Sequence, residues 1–458
     1  MKATSTDPAD DSPPMERSLG VWQATSLNIA NMVGIGPFIT IPAFIAAMNG
    51  PHAIIGWVVA ALLVLCDGLV WSELGAALPG SGGTYHFLKV IFGRSLWGRL
   101  LPFLFIWQFL VSGALEMASG YIGALQYLEF AWPSIPRLGG NTRWMAALAV
   151  IAITLLLCQR IGRIGALGIV LCAGTLLTVV TVIVSGLTHF DSSLLAVPDG
   201  ALQMDRKFAL GLGGAMLIAV YDYLGYFNVC HLGDEVREPG KTIPRAILLS
   251  IAIIAVLYLT MNVSIMAVVP WQEAMVSKNI AADMMQRLFG HSAAVAISWL
   301  IVWTGMAGMF AITLAYSRIP YAAARSGDFF AIFGRLHPQG RYPIVSLLVL
   351  GGFTAAFCFL SLESVIQAAV CVRILVQFVG QIVALHILRS RRTDIEMPFR
   401  MWFYPLPSLI ALFGWFYVLG TAQWAIIGLS LVVLISGMLV YFLWQWQSVT
   451  GRSTQTNI

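Results

Sequence analysis

The feature that most constrains this chain is the run Asn31-Met32-Val33-Gly34-Ile35-Gly36-Pro37-Phe38, set inside an apolar stretch from Leu27 to Ala47. A stretch of that length crosses a bilayer when helical. Yet Gly34, Gly36 and Pro37 crowd into one turn of it, and each is unfavourable in a helix interior. Pro37 has no N–H to give to the carbonyl four residues back, so the hydrogen-bond ladder is expected to open around Gly34–Gly36. In hydrocarbon, freed backbone groups persist only where they are buried in protein or line a watery cavity. The break therefore reads as half of a small-molecule site at the bilayer midplane.

Composition fixes the surroundings. The chain is 59% hydrophobic and 10% charged, against about 25% charged in soluble domains, so an all-α integral membrane protein is expected. Apolar runs near 24–47, 53–78, 100–127, 144–159, 164–187, 208–232, 246–269, 293–317, 343–360, 364–388, 402–419 and 422–445 predict twelve crossings. An N-terminus on the inside puts most of the 26 basic residues in cytosolic loops, as the positive-inside rule requires. The reading is thus a multi-pass protein of the cytoplasmic membrane with both termini cytosolic. Residues 1–18 are polar and carry acids and Pro13-Pro14, the composition of a disordered cytosolic tail; residues 446–458 form a second tail. The net charge of +5 is spread over many short loops, which is no nucleic-acid footprint. The six cysteines lie mostly in apolar runs without C-x-x-C spacing, so neither a disulfide framework nor a metal site is expected. No H-E-x-x-H, phosphate loop or Ser-His-Asp set is present, which argues against an intramembrane enzyme and against ATP-driven transport. No cofactor is expected.

The sixth run contains a second interruption, Tyr221-Asp222-Tyr223-Leu224-Gly225-Tyr226. Breaks in the first and sixth helices suggest two five-helix repeats of inverted topology, about 20–187 and 208–388, with the site at their interface. Together they make a ten-helix core at 19–388, followed by two accessory helices at 389–445. A channel would want a repeated filter and has no need of two broken helices.

Four stretches resemble the amino acid–polyamine–organocation superfamily, whose members share the leucine-transporter-like fold. They are Gly34-Ile35-Gly36-Pro37-Phe38, Pro79-Gly80-Ser81-Gly82-Gly83-Thr84-Tyr85 with Phe92-Gly93, the loop from Asp234-Glu235 through Pro239 and Pro244 to Ala246, and the loop from Ser317 to Asp328 running on to His337-Pro338. The likeness covers roughly 20–405. It implies alternating access with an amino acid or an amine as cargo, moved by a symporter or an antiporter. Residues 128–143, where heteromeric members carry the cysteine for an ancillary subunit, contain none, so a carrier without a disulfide-linked partner is implied.

An amino acid is a zwitterion, and the breaks offer what it needs. The half beginning near Ile35-Gly36-Pro37 presents free N–H groups and a positive dipole end to a carboxylate. The half ending at Met32–Val33, with unwound backbone at Tyr221–Leu224, presents carbonyls to the ammonium. Any side chain at Gly34 or Gly36 should hold the ligand away. Tyr221, Asp222, Tyr223, Gly225 and Tyr226 complete the expected site. Charges at membrane depth are functional suspects: Asp67, Glu116, Asp222 and Arg373. Counting along straight helices puts Glu116 and Arg373 both in the outer half, as a lock or a gate. Asp222 either meets a substrate ammonium, carries a coupling proton or caps a restarted helix. Polyamine-transporting members read Trp-Asn-Tyr where this chain has Tyr221-Asp222-Tyr223, and share the Gly-Pro-Phe break, but their acid falls at Phe227. A lysine that proton-coupled members place in the fifth helix aligns with Thr175, which leaves H+ or Na+ open as the coupling ion.

Overall fold

The computed structural model describes residues 17–80, 82–93, 95–134, 143–158, 164–338, 342–391 and 394–455, with the side chains of 164–173 and 448–455 excepted. The tail through residue 16, residues 135–142 of the 128–143 loop, Ser81 and the basic residues Arg94, Arg160, Arg163, Arg341 and Arg392 lie outside the described residues. The chain is all-helical, and the described residues hold no β-strand beyond one isolated bridge.

In chain order the helices are α1 (Val21–Met32), α2 (Gly36–Met48), α3 (Ile54–Ala77), α4 (Thr84–Phe92), α5 (Leu96–Ala131) and α6 (Arg143–Leu157). Then follow α7 (Ile164–Thr188), α8 (Arg206–Tyr223), α9 (Pro239–Met266), α10 (Trp271–Ala274), α11 (Ile280–Phe289) and α12 (His291–Tyr316). The remainder are α13 (Arg318–Arg325), α14 (Ile344–Phe357), α15 (Leu362–Arg373), α16 (Gly380–Arg391), α17 (Leu406–Thr421) and α18 (Trp424–Gln455). Among the described residues, six helices are long and apolar enough to cross a membrane, and α1 with α2 pass the same test as one span bent by 57°. Shorter apolar helices account for the runs at α6, α7, α14 and α17. The protein is therefore a multi-pass membrane protein. Helix α18 continues to Gln455 where the sequence suggested a tail from 446.

The first helix divides where its residues demand it. Helix α2 restarts at Gly36 with Pro37 in its first turn, the position at which a missing N–H matters least. It ends at Asn49, left-handed at φ 58°, whose N–H bonds to the Ile45 carbonyl. Pro42 lies inside α2 and cannot donate to the Phe38 carbonyl; the Tyr127 hydroxyl donates to that carbonyl instead, at 2.9 Å. A buried tyrosine thus supplies the partner that proline withholds.

Small residues let the helices around α2 close in. An added Cβ at Gly120 would meet the Met309 sulfur at 2.4 Å, one at Gly123 would meet Ile39 at 2.6 Å, and one at Gly305 would meet Ala124 at 2.9 Å. These contacts seat α5 against α12 and against Ile39 of α2, the close packing that small residues allow between membrane helices. Helix α17 packs on α3 and α8, and its Trp415 stacks on Phe378 with ring centroids 3.9 Å apart.

Three of the four motifs that carried the family resemblance meet at one end of the bundle, with the segment before α1. Ser18 and Leu19 N–H groups both donate to the Glu235 carbonyl (2.9 and 3.0 Å), and Arg237 N–H donates to the Leu19 carbonyl at 2.9 Å. Gly82 N–H donates to the His231 carbonyl at 3.2 Å. Asp328 accepts from the Tyr85 hydroxyl and pairs with Lys89 at 2.5 Å. The segment before α1, the loop after α3, the loop after α8 and the loop after α13 are thereby tied together.

Candidate binding site at two helix breaks

Helix α1 ends at Met32, with the Val33 N–H bonded to the Ile29 carbonyl at 2.7 Å. The Met32 carbonyl accepts the Tyr258 hydroxyl at 2.6 Å. One of the carbonyls expected to await an ammonium is therefore already engaged, and Tyr258 is a site residue that the sequence did not single out. Gly34 and Gly36 differ. An added Cβ at Gly34 would find nothing within 4 Å, whereas one at Gly36 would lie 2.2 Å from Asp222 Oδ1 and 3.7 Å from the Tyr221 ring. Open space thus faces Gly34. At Gly36 the absent side chain makes room for a carboxylate of the protein rather than for a ligand.

The second break is shorter than its sequence suggested. Helix α8 remains regular through Tyr223, so Tyr221, Asp222 and Tyr223 are helical rather than unwound. The chain turns at Leu224 (ψ 137°) and at Gly225, whose φ of +113° is a conformation that favours glycine. No α-helix restarts here. Two short 3-10 turns, Asn228–His231 and Gly233–Glu235, follow, so Asp222 has no restarted helix to cap. The reason lies in Asn28 on α1: its amide donates to the Tyr226 carbonyl at 2.6 Å and its oxygen accepts the Val229 N–H at 2.9 Å. One buried side chain thus satisfies backbone groups that a continuing helix would have paired. Gly225 fits against Asn31 and Met32, where a Cβ would come within 3.2 Å, so the two breaks touch.

The structure brings Gly36, Tyr221, Asp222 and Thr40 into one cluster. Thr40 Oγ1 donates to Asp222 Oδ2 at 2.6 Å, while Oδ1 is buried with no partner among the described residues. Asp222 is 3% exposed and faces the first turn of α2, the positive end of that helix. Tyr221 shares a 2.5 Å hydrogen bond with Ser119, whose hydroxyl also donates to the Glu116 carbonyl at 2.6 Å. Tyr223 packs on Trp57 with centroids 5.5 Å apart.

The remaining intramembrane charges are all engaged. Arg373 and Glu116 pair at 2.5 Å, with side chains 2% and 11% exposed. Tyr316 donates to Glu116 at 2.8 Å, and Arg373 Nε donates to Ser112 at 3.1 Å. Tyr316 is the last residue of α12, so the ion pair joins α5, α12 and α15. Helix α5 is 36 residues long, about 54 Å against a hydrocarbon core of about 30 Å, and a π-helical segment, Ile374–Val379, follows Arg373. Asp67 accepts from the Tyr226 hydroxyl at 2.5 Å and from Trp415 Nε1 at 3.0 Å, anchoring the second break to α3 and α17. Thr175 is buried on α7, a helix that packs on α12 and α9. One turn further on, Thr178 and Thr304 hydroxyls lie 3.2 Å apart. Glu73, fully buried and held by Arg389 through bonds of 2.5 and 2.7 Å, escaped the sequence reading because it lies near the cytosolic end expected for its helix.

The family model described as amino acid permease matches residues 19–449. The chain belongs to the amino acid permease family. The permease is also similar to the serine/threonine exchanger SteT of Bacillus subtilis, 24% identical over 438 residues that cover 93% of this chain and 97% of the relative. It is 25% identical to the human large neutral amino acids transporter small subunit 2 over 457 residues, 94% and 81% of the two chains. It is 26% identical to human cationic amino acid transporter 4 over 371 residues, 77% and 57% of the two chains. Family and relatives are transport proteins, which agrees with the absence of any catalytic constellation in the sequence.

Proposed function

We propose that the permease is a secondary active transporter that carries one amino acid at a time between the two helix breaks by alternating access. The carrying observation is the open space at Gly34, bounded by the positive end of α2. The α-carboxylate would lie at the first turn of α2. The ammonium would take the carbonyls of the α1 and α8 ends that Tyr258 and Asn28 leave uncovered. Two inverted five-helix repeats with twelve crossings, α17 and α18 being the added pair, account for breaks in the first and sixth helices. Positive-inside counting supports insertion in the cytoplasmic membrane with both termini cytosolic. On that orientation the Leu19–Glu235 closure is cytosolic and the Asn49 end of α2 is extracellular. Asp222 is the candidate carrier of a coupling proton, with Na+ as the other possible coupling ion. Glu116 with Arg373 would hold α5, α12 and α15 together. The permease would act without a cofactor and without a disulfide-linked subunit.

The named cargoes of its relatives span small polar, large neutral and cationic amino acids, so the test is a panel. Purified permease in proteoliposomes preloaded with L-serine, L-leucine or L-arginine should accumulate the same labelled amino acid by counterflow. A second reading, an amine cargo lacking a carboxylate, is favoured by the acid at the break. Counterflow with spermidine and with none of the amino acids would replace the first reading by the second. Flux without counterflow would reject a carrier altogether.

A further inference from the structure

We infer that the permease holds a second amino-acid site, in a cavity one helical turn outside the breaks. This rests on the amino-acid reading of the cargo but not on where the central site lies. The cavity has a volume of about 470 Å³ and is walled by α2, α8, α15, α17 and the segment after α10. That volume lies in the range of small-molecule sites. Its inner wall is apolar, with Ile39 one turn beyond Gly36 and Ile218 one turn before Asp222. Two of its polar side chains converge on one carboxylate. Gln367 and Gln423 both donate their amide N–H groups to Glu363 Oε1, at 3.1 and 3.0 Å.

This arrangement orients the solvent-exposed carboxylate of Glu363 at the cavity mouth and leaves its second oxygen, Oε2, without a hydrogen bond among the described residues. Gln367 Oε1 is buried and also has no partner among them. A buried acceptor left unpaired costs about 1–3 kcal/mol, so a donor at this spot has something to gain. A primary ammonium carries several N–H donors and one positive charge, and it matches the carboxylate oxygen and the amide oxygen together. Lys278 lines the same cavity and supplies the opposite sign for an α-carboxylate. The apolar wall receives the side chain. Carboxylate, amide oxygen, apolar wall and lysine make a complement to a zwitterion rather than to a simple cation, which would gain nothing from Lys278.

Ala422 lines this cavity without belonging to the proposed contacts, so Ala422→Cys is the reporter. The full chain in detergent is treated with a methanethiosulfonate reagent, and modification of the new cysteine is followed by mass. The probes are L-serine, L-leucine and L-arginine. At least one should slow modification, by about tenfold at ten times its half-protecting concentration. Protection should persist when Gly34→Val fills the central space, and Glu363→Gln should abolish it. The thermal midpoint of each variant confirms that it is folded. Protection lost with Gly34→Val, protection kept with Glu363→Gln, or no protection by any probe would each overturn the second site. Normal counterflow by the Gly34→Val protein would instead overturn the central site, so the two failures are distinguishable.

Discussion

Alanine at Gly34 and alanine at Gly36 should fail in opposite ways. At Gly36 the new Cβ would stand 2.2 Å from Asp222 Oδ1 and 3.3 Å from its Cγ, roughly 1 Å inside ordinary contact distance for carbon and oxygen. Either α2 moves or Asp222 swings away and surrenders the 2.6 Å bond from Thr40. Overpacking costs about 1–3 kcal/mol and losing a hydrogen bond to a charged group about 1.5–3 kcal/mol. Both exceed the gain of about 0.5–1 kcal/mol from replacing glycine in a helix. At Gly34 the Cβ meets nothing within 4 Å. The change is neutral or stabilising by about 0.4–1 kcal/mol through the unfolded chain, but it intrudes on the space assigned to the ligand. Thermal midpoints of the purified proteins should therefore fall for Gly36→Ala and hold for Gly34→Ala. Counterflow in proteoliposomes should be lost in the well-folded Gly34→Ala protein. Parent-rate counterflow by Gly34→Ala, or a Gly36→Ala protein as stable as the parent, would refute the reasoning.

Glu116→Gln alone should destabilise by about 3–5 kcal/mol because it strands the buried Arg373 cation. Joining Arg373→Met to it should recover part of that loss, and a double variant no more stable than the single would show that the pair is not coupled. Asn28→Leu should lower stability by about 1–3 kcal/mol for each group it leaves unpaired, the Tyr226 carbonyl and the Val229 N–H. Hydrogen exchange should then rise at 224–232, and an unchanged exchange rate there would mean that Asn28 does not hold the second break.

The first break was legible in sequence because its cause is local: glycine and proline chemistry acts on the backbone within one turn, and α1 and α2 part at Val33–Ile35 as that chemistry requires. The second break was legible only in part. Gly225 marked the turn, but where α8 ends depends on Asn28, which is 198 residues from its partner Tyr226. A polar side chain inside the apolar first helix was the available signal. Tyr127 and Tyr258 gave none, since a tyrosine that completes another helix's backbone reads like one that packs a core. Pairing of Glu116 with Arg373 followed from the cost of leaving either alone. Pro42 is a converse case: it announced a missing hydrogen bond, but only the fold identifies Tyr127 as its remedy.

Asp222 bears most directly on the cargo. Its carboxyl faces the same helix end that would receive a substrate carboxylate, and only Thr40 donates to it among the described residues. The groups around it are the hydroxyls of Tyr221, Tyr223 and Tyr258, and Arg373, on the far side of Tyr221, is already matched by Glu116. Two carboxylates at one helix end repel, so a zwitterion should bind only when Asp222 is protonated. Affinity for an amino acid should then fall by roughly tenfold per pH unit once Asp222 ionises, as one linked proton requires. The Asp222→Asn protein should bind with a flat pH profile. An amine without a carboxylate demands the reverse: it needs the ionised form, gains affinity as pH rises and loses it in Asp222→Asn. Titrating both proteins with L-leucine, L-arginine and spermidine across pH 5 to 8 separates these cases by sign. Parallel pH profiles for parent and Asp222→Asn would remove Asp222 from both substrate recognition and proton coupling.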